Sequence, residues 1–463
     1  MLREWQKKNS SGIMQSGGKR RLQSIVRGCS KNTVDTEHVL AQLENAYEIC
    51  GEDGCGDGYV DVVLVNTCGF IGDAKEESIN TILEVAQRKN AGKVGKIVVF
   101  GCLSQRYASE LPGLIPEVDL WLGARDTDEI VRALGVTPDP RRGQSRLVTE
   151  GNGSYAYLKI SEGCDRRCSY CAIPYIRGAH RSVPMERLVE EAENLARTGV
   201  RELVIIAQDT TWYGLDLYHR RALGELLERL SEVKGIEWIR IHYSYPADFP
   251  EDVLDIMANN PKVCRYMDIP LQHISDKVLD NMRRHVSGRW TRELISKMRS
   301  KVPGVVLRTT MIVGHPGEGT REFRELLDFV ADAKFERLGA FTYSEEEGTY
   351  GATHFKDTVR QTTKQKRLDE LMELQRGISL EYNLSRVGSV VRALVDSWFA
   401  EQDMLVCRSE FESPEVDGEI LVKYSPGSFG DIDPQTLVGH FIEVRITAAD
   451  DYDLTADFVR TLE

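Results

Sequence analysis

Gly163-Cys164-Asp165-Arg166-Arg167-Cys168-Ser169-Tyr170-Cys171 sets three cysteines in the spacing CxxxCxxC, just past a strand-like run from Tyr155 to Ile160 and inside a loop segment from Gly163 to Arg177. The stretch offers three thiolates and no fourth. A structural zinc site closes its tetrahedron with four Cys or His ligands, usually as two close pairs, and no second pair follows here. Iron-sulfur clusters are normally held by four cysteines, so a cluster held by three leaves one iron open to substrate or cofactor. The stretch reads as a reactive metal site; zinc with a distant fourth ligand and buried inert thiols are the alternatives.

Around this loop, strand-like runs recur with helical patterns between them: Tyr155 to Ile160, Glu202 to Ile206, Trp238 to Tyr243, Arg265 to Ile269, Val305 to Val313 and Arg337 to Thr342. That alternation predicts an incomplete (β/α) TIM-like barrel over residues 154–386. Barrel sites sit at the carboxyl ends of the strands, and the cysteine loop follows the first strand. Other strand ends carry polar residues that could line the pocket: Gln208 and Asp209, His242, Gln272 and His273, then Gly314, Pro316, Gly317 and Glu318. The alternative for these is turn chemistry and packing, with His242 and His273 as hydrogen-bonded core residues.

Upstream, over residues 21–135, strands Leu22 to Val26, Asp61 to Val65 and Lys96 to Phe100 alternate with helices near Thr36 to Cys50 and Ala74 to Arg88. This predicts a doubly wound parallel sheet. Each strand runs into a cysteine, Cys29, Cys68 or Cys102, beside Gly28, Gly69 or Gly101. Carboxyl ends are where open parallel sheets bind ligands, so the three thiols are expected to converge as a second metal site. Buried cysteine as a small hydrophobe is the alternative. Cys50, Cys55, Cys264 and Cys407 show no such placement; Cys50 and Cys55 flank a Gly/Asp loop that reads as plain and exposed.

Residues 136–153, rich in Pro, Gly and Arg, read as a linker. A helix from Thr363 to Tyr382, with Leu368, Leu371, Leu374 and Ile378 at helical spacing, leads into residues 387–463. There Val390 to Val395, Met404 to Cys407, Glu419 to Val422 and Phe441 to Ile446 alternate as short strands, predicting a small antiparallel, OB-like β-barrel. The fold class is therefore α/β multidomain.

Charge separates this last module from the rest. Residues 388–463 carry 16 Asp and Glu against 5 Lys and Arg, a net of −11, leaving −2 of the total −13 for the chain upstream. Such a module repels phosphate backbones and attracts basic surfaces, which argues against direct nucleic-acid binding; acidity kept for solubility is the bland alternative. Residues 1–20 lack the apolar core of a secretory signal and read as a disordered extension. No apolar stretch approaches the roughly 20 residues needed to cross a membrane. Ten cysteines without a signal point to reduced thiols and metal binding in a cytoplasmic enzyme.

With Tyr170 before its last cysteine, the motif is CxxxCx(aromatic)C, which resembles the radical S-adenosylmethionine (SAM) superfamily. The run Met311 to Glu318 resembles the superfamily segment that contacts SAM. Two three-cysteine sites, followed by a small β-barrel of the TRAM kind, resemble the methylthiotransferase family from about Arg21 onward. Gly28 to Glu37, Asn66 to Ile79 and Glu117-Val118-Asp119 look like the branch acting on a ribosomal protein; Ser30 stands where that branch commonly has proline, a change in turn rigidity that touches no ligand.

The resemblance implies a 4Fe-4S cluster on Cys164, Cys168 and Cys171 that cleaves SAM to a 5′-deoxyadenosyl radical, and an auxiliary 4Fe-4S cluster on Cys29, Cys68 and Cys102 that holds the sulfur. Tyr170, Gln208, Gly314 and Glu318 are the implied SAM contacts. The implied acceptor is the β-carbon of an aspartate in ribosomal protein S-twelve, free or in the small subunit, with an external electron donor. A tRNA-modifying methylthiotransferase is the alternative, and a non-catalytic iron-sulfur redox or RNA-binding scaffold a remote one. Charge favours the protein substrate, because ribosomal proteins are basic.

Overall fold

The computed structural model describes residues 19–52, 58–142, 145–149, 153–424 and 432–462. The expected extension thus lies outside the described residues through position 18, as does Cys55. Strands β1 (Arg20–Val26), β2 (Tyr47–Cys50), β3 (Val60–Thr67), β4 (Val94–Gly101) and β5 (Leu120–Trp121) form one sheet in the order β2-β1-β3-β4-β5, parallel at every pairing. Successive strand residues face opposite sides. Val62 and Leu64 pack with Leu40 and Leu43 of helix α1 (Ser30–Leu43), while Val63 and Val65 pack with Ile82 and Val85 of helix α2 (Gly72–Asn90). The sheet is doubly wound, as expected.

One expected element is corrected. The helix read as Thr36 to Cys50 starts at Ser30, directly after Cys29, and stops at Leu43. Tyr47–Cys50 is instead edge strand β2, paired with Arg20–Gln23; burial of Tyr47, whose hydroxyl donates to the Leu134 carbonyl at 2.8 Å, overrides the helical pattern.

The central body holds β6 (Tyr155–Lys159), a short antiparallel pair β7 (Ser161–Glu162) and β8 (Arg181–Ser182), then β9 (Glu202–Ile206), β10 (Trp238–Ile241), β11 (Val263–Asp268), β12 (Val306–Val313) and β13 (Arg337–Thr342). Six strands run in the sequential order β13-β12-β11-β10-β9-β6, all parallel, an open barrel. Leu203, Ile205, Ile239 and Ile241 face the outer helices. Tyr155, Tyr157, Val204 and Ile206 face inward and pack on Val34 of α1. The segment read as a linker is pinned where it is described: the Arg146 guanidinium is buried between Glu37 of α1 and Glu191.

A helix from Gln361–Ser385 leads to β14 (Val390–Phe399), β15 (Met404–Arg408), β16 (Ile420–Lys423), β17 (Phe441–Ala449) and β18 (Leu454–Thr461), a closed barrel. Strand β18 was not anticipated, and it corrects the expected all-antiparallel pattern: closure requires it to bond β17 antiparallel and β16 parallel.

Residues 409–417 of this module fill the inward face of the central barrel. Glu412 pairs with Arg386 and Arg337, the Tyr266 hydroxyl donates to Asp417 at 2.6 Å, Arg265 donates to Glu410 at 2.7 Å, and the Tyr157 hydroxyl donates to Glu415 at 2.7 Å. Part of the module's acidity, Glu410 and Glu412 above all, is therefore matched by cations within the molecule.

Candidate active site

The first trio is built by three strand ends. Cys29 precedes α1, Cys68 follows β3, and Cys102 opens a five-residue helix, α3 (Cys102–Arg106), after β4. Gly69 permits the meeting, because a side chain there would sit 2.8 Å from the Cys102 carbonyl carbon and oxygen. Gly101 turns the chain into α3 with φ 109°, in the left-handed range that favours glycine. The Cys68 thiol is pushed up to about 11, first by burial, with the nearby Cys29 and Cys102 adding to the rise. Burial likewise raises Cys102, against the pull of the Arg177 cation. The three thiols are neighbours, as their strand ends foretold.

Residues not singled out from the sequence complete this trio. The Asn32 side-chain oxygen lies 3.6 Å from the Cys29 sulfur and 4.0 Å from that of Cys102. Arg177, 1% exposed, donates through Nε to the Cys102 sulfur at 3.2 Å, through Nη2 to Asn32 at 2.8 Å, and through Nη1 to Asp35 at 2.9 Å and Glu162 at 2.8 Å. Arg177 belongs to the loop that carries the second trio, so it ties one thiol group to the other's support. Nothing in the local pattern marks it, since its partners are 15 to 145 residues away.

The second trio lies in the loop between β7 and β8. Burial pushes the Cys164 thiol up to about 12 and raises Cys171 as well, with Cys168 adding to both. Arg284 donates to the Cys168 sulfur at 3.6 Å and to the Tyr170 hydroxyl at 3.3 Å, and the Tyr245 hydroxyl lies 3.8 Å from the same sulfur. Cys168 and Cys171 line a cavity of about 290 Å³ with Arg167, Arg283 and Tyr350.

The expected SAM contacts divide by environment. The Gln208 amide donates to Glu162 at 2.7 Å, and its oxygen, like that of Gln272, is buried without a hydrogen-bond partner. Tyr170 is held by Arg284. Gly314 and Glu318 belong to one closed turn: Glu318 accepts from the Gly314 N–H at 2.8 Å and from Arg367 at 2.7 Å, and His273 stands 3.4 Å away. Asp209 pairs with Arg166 at 2.6 Å. His242 is a correction, for it does not line the pocket: its Nε2 meets the Ser413 hydroxyl at 2.8 Å, turned toward the C-terminal module. Cys264 and Cys407 are buried elsewhere.

Among the described residues no three His, Cys, Asp or Glu side chains lie close enough to hold a single metal ion. A cubic cluster takes each thiolate on a different iron and so needs them spread apart. Two thiol trios, partly buried and one of them beside a cavity, with two orphaned amide oxygens following β9 and β11 of the barrel, fit clusters and a polar cofactor.

Comparison with known proteins agrees with this arrangement. The radical SAM superfamily matches residues 158–330, the uncharacterized protein family UPF0004 residues 21–123, and the TRAM domain residues 387–459. A solved radical S-adenosylmethionine methyltransferase, TsrM of Kitasatospora setae, shares the fold with TM-score 0.53 at 14% identity, over 70% of this chain and 75% of that one. The ribosomal protein uS12 methylthiotransferase RimO of Bacteroides thetaiotaomicron is 48% identical over 96% of this chain and 100% of its own. That of Porphyromonas gingivalis strain ATCC 33277 is 49% identical over 95% and 99%, and that of Flavobacterium johnsoniae 47% identical over 94% and 97%. With near-complete coverage in both directions, a CxxxCx(aromatic)C loop on an open barrel and a second thiol trio facing it, the chain belongs to the radical SAM methylthiotransferase family.

Proposed function

We propose that the chain attaches a methylthio group to the β-carbon of an aspartate in ribosomal protein uS12, the S-twelve protein of the small subunit. The observation that carries this reading is Arg177, which spans from the loop of one thiol trio to a sulfur of the other. Two separate functions would not need two trios locked at one seam; a single reaction using both does. The relatives named for uS12 support the protein acceptor over tRNA.

Cys164, Cys168 and Cys171 would hold one 4Fe-4S cluster and Cys29, Cys68 and Cys102 a second, with SAM against Tyr170, Gln208 and the turn from Gly314 to Glu318. Once bound, these groups supply one-electron chemistry that takes hydrogen from an unactivated carbon and delivers sulfur to it, which side-chain acids and bases do not do.

The chain's own residues prepare the site. Arg284 and the Tyr245 hydroxyl fix the Cys168 sulfur. Glu318 uses one carboxylate oxygen to hold the Gly314 N–H and the other to hold Arg367 of the long helix, which fixes the turn from Gly314 to Glu318. The Arg177 cation beside Cys102 favours its thiolate, the form that binds iron. Its other bonds close the seam to water. An external donor supplies the electrons, and a ribosomal acceptor places the work in the cytoplasm.

The test is mass spectrometry of one anaerobic reaction holding SAM, reductant, small ribosomal subunits and tRNA. A methylthio addition on an aspartate of uS12 is expected; an addition on tRNA alone would overturn the reading.

A further inference from the structure

The Lys31 side chain has no part in anything described so far. It is 7% exposed, sits in the first turn of α1 two residues after Cys29, and among the described residues makes no hydrogen bond or ion pair. Its close contact is the face of Tyr243, with Nζ 3.0 Å from the ring centroid. A buried cation without a counter-charge is costly. The cations beside it on the same seam are all matched: Arg146 by Glu37, Lys159 by Asp35, and Arg177 by Asp35 and Glu162.

Tyr243 is held in place with some strain. Its φ of 57° lies in the left-handed region that a bulky side chain seldom occupies. The conformation is enforced on both sides: its N–H donates to Asp268 at 2.9 Å, and its carbonyl accepts from the Thr210 N–H at 3.2 Å. Such strain concentrates at functional sites, where surrounding structure over-determines it. Two residues on, Tyr245 reaches the Cys168 sulfur. Lys31 is thus two residues from Cys29 along the chain and rests on Tyr243, two residues from the tyrosine whose hydroxyl lies 3.8 Å from the Cys168 sulfur.

A substrate that must meet both trios has to come close to this residue. On the reading above, its reacting β-carbon is one bond from a γ-carboxylate, an anion that would be buried there. We infer that Lys31 is the carboxylate-binding residue of the acceptor site. Tyr243 supports the ammonium until the acceptor docks, and the aspartate carboxylate then becomes its counter-ion. This gives the site its preference for aspartate over the isosteric asparagine, which would leave the ammonium facing a neutral amide.

The experiment uses anaerobically loaded full-length enzyme, with preparations matched for iron content, and small ribosomal subunits carrying aspartate or asparagine at the modified position. Equilibrium binding is measured for each, along with KM for SAM and methylthio transfer. The wild type is expected to bind the aspartate form more tightly, by about 30-fold or more. Lys31→Met should lose that preference, and Lys31→Arg, which keeps the charge, should recover most of it. An unchanged aspartate preference in Lys31→Met overturns the inference. A change confined to KM for SAM also overturns it, because the lysine would then serve the methionine carboxylate. If the wild type transfers nothing to uS12, the proposed function falls; if it transfers normally and Lys31→Met still prefers aspartate, only this inference falls.

Discussion

The central barrel makes two seams, and they are built on opposite terms. At the C-terminal seam, charges from the two sides are matched: Glu202 lies between Arg240 at 2.7 Å and Arg408 at 2.8 Å, and Glu412 between Arg337 and Arg386. At the N-terminal seam the same matching surrounds Arg146, Lys159 and Arg177, but Lys31 and the oxygens of Gln208 and Gln272 lack polar partners. Buried polar groups are normally satisfied. At the C-terminal seam every named charge has an opposite charge beside it, whereas Lys31 near the thiols has none, and an unmatched charge is where a charged ligand belongs.

The largest expected effect tests the unsaturated side. Cys164→Ala should abolish SAM cleavage, measured as 5′-deoxyadenosine released, and Cys102→Ala should abolish methylthio transfer; each should also lose about half of the iron and sulfide found in the reconstituted wild type. Equal iron in Cys102→Ala and wild type would remove the Cys29, Cys68 and Cys102 cluster from the scheme.

Next comes a break in the saturated side. Glu202→Gln leaves two buried guanidinium groups without their shared carboxylate, an uncompensated charge that costs about 3–5 kcal/mol. Thermal unfolding should show it, and a variant as stable as wild type would mean the seam carries little energy.

Acid should loosen the same seam more gradually. His242 is held neutral, chiefly by burial, and its pKa is lowered to about 3 from 6.5. Below pH 6.5 the unfolded chain therefore binds a proton that the folded one refuses, and stability falls as pH drops toward 3. For Glu412, burial alone would raise the pKa, but Arg386 and Arg337 outweigh it and bring it to about 2 from 4.5. Its contribution is full above pH 4.5 and is lost on the way down to about 2. Both slopes have the same sign. Amide hydrogen exchange in residues 409–417 should quicken below pH 6.5. The smallest effect is Tyr157→Phe, which removes one hydrogen bond to Glu415 and should lower stability by about 1–3 kcal/mol.

The cysteines were legible for a chemical reason. Iron-sulfur clusters are held mainly by cysteine, and parallel strands place their carboxyl ends on one side of a sheet, so Cys29, Cys68 and Cys102 could be grouped as candidates across more than 70 residues of chain from alternation. The acidity of the last module was visible too, but not which of its carboxylates turn inward. Charge counts do not say whether Glu412 faces solvent or Arg337, and His242 reads the same whether it faces a pocket or Ser413.

Local pattern, residue type and turn chemistry thus pointed to the α/β class, to its parallel sheets and to the grouping of six thiols, because each depends on neighbours in sequence or on a ligand's fixed demand. Docking of the bodies settled the rest. Arg177 reaches Cys102 across 75 residues, residues 409–417 fill the central barrel, and Lys31 faces an aromatic ring with no carboxylate beside it. Burial decides the worth of a charge, and only the assembled fold decides which charges are buried and with whom.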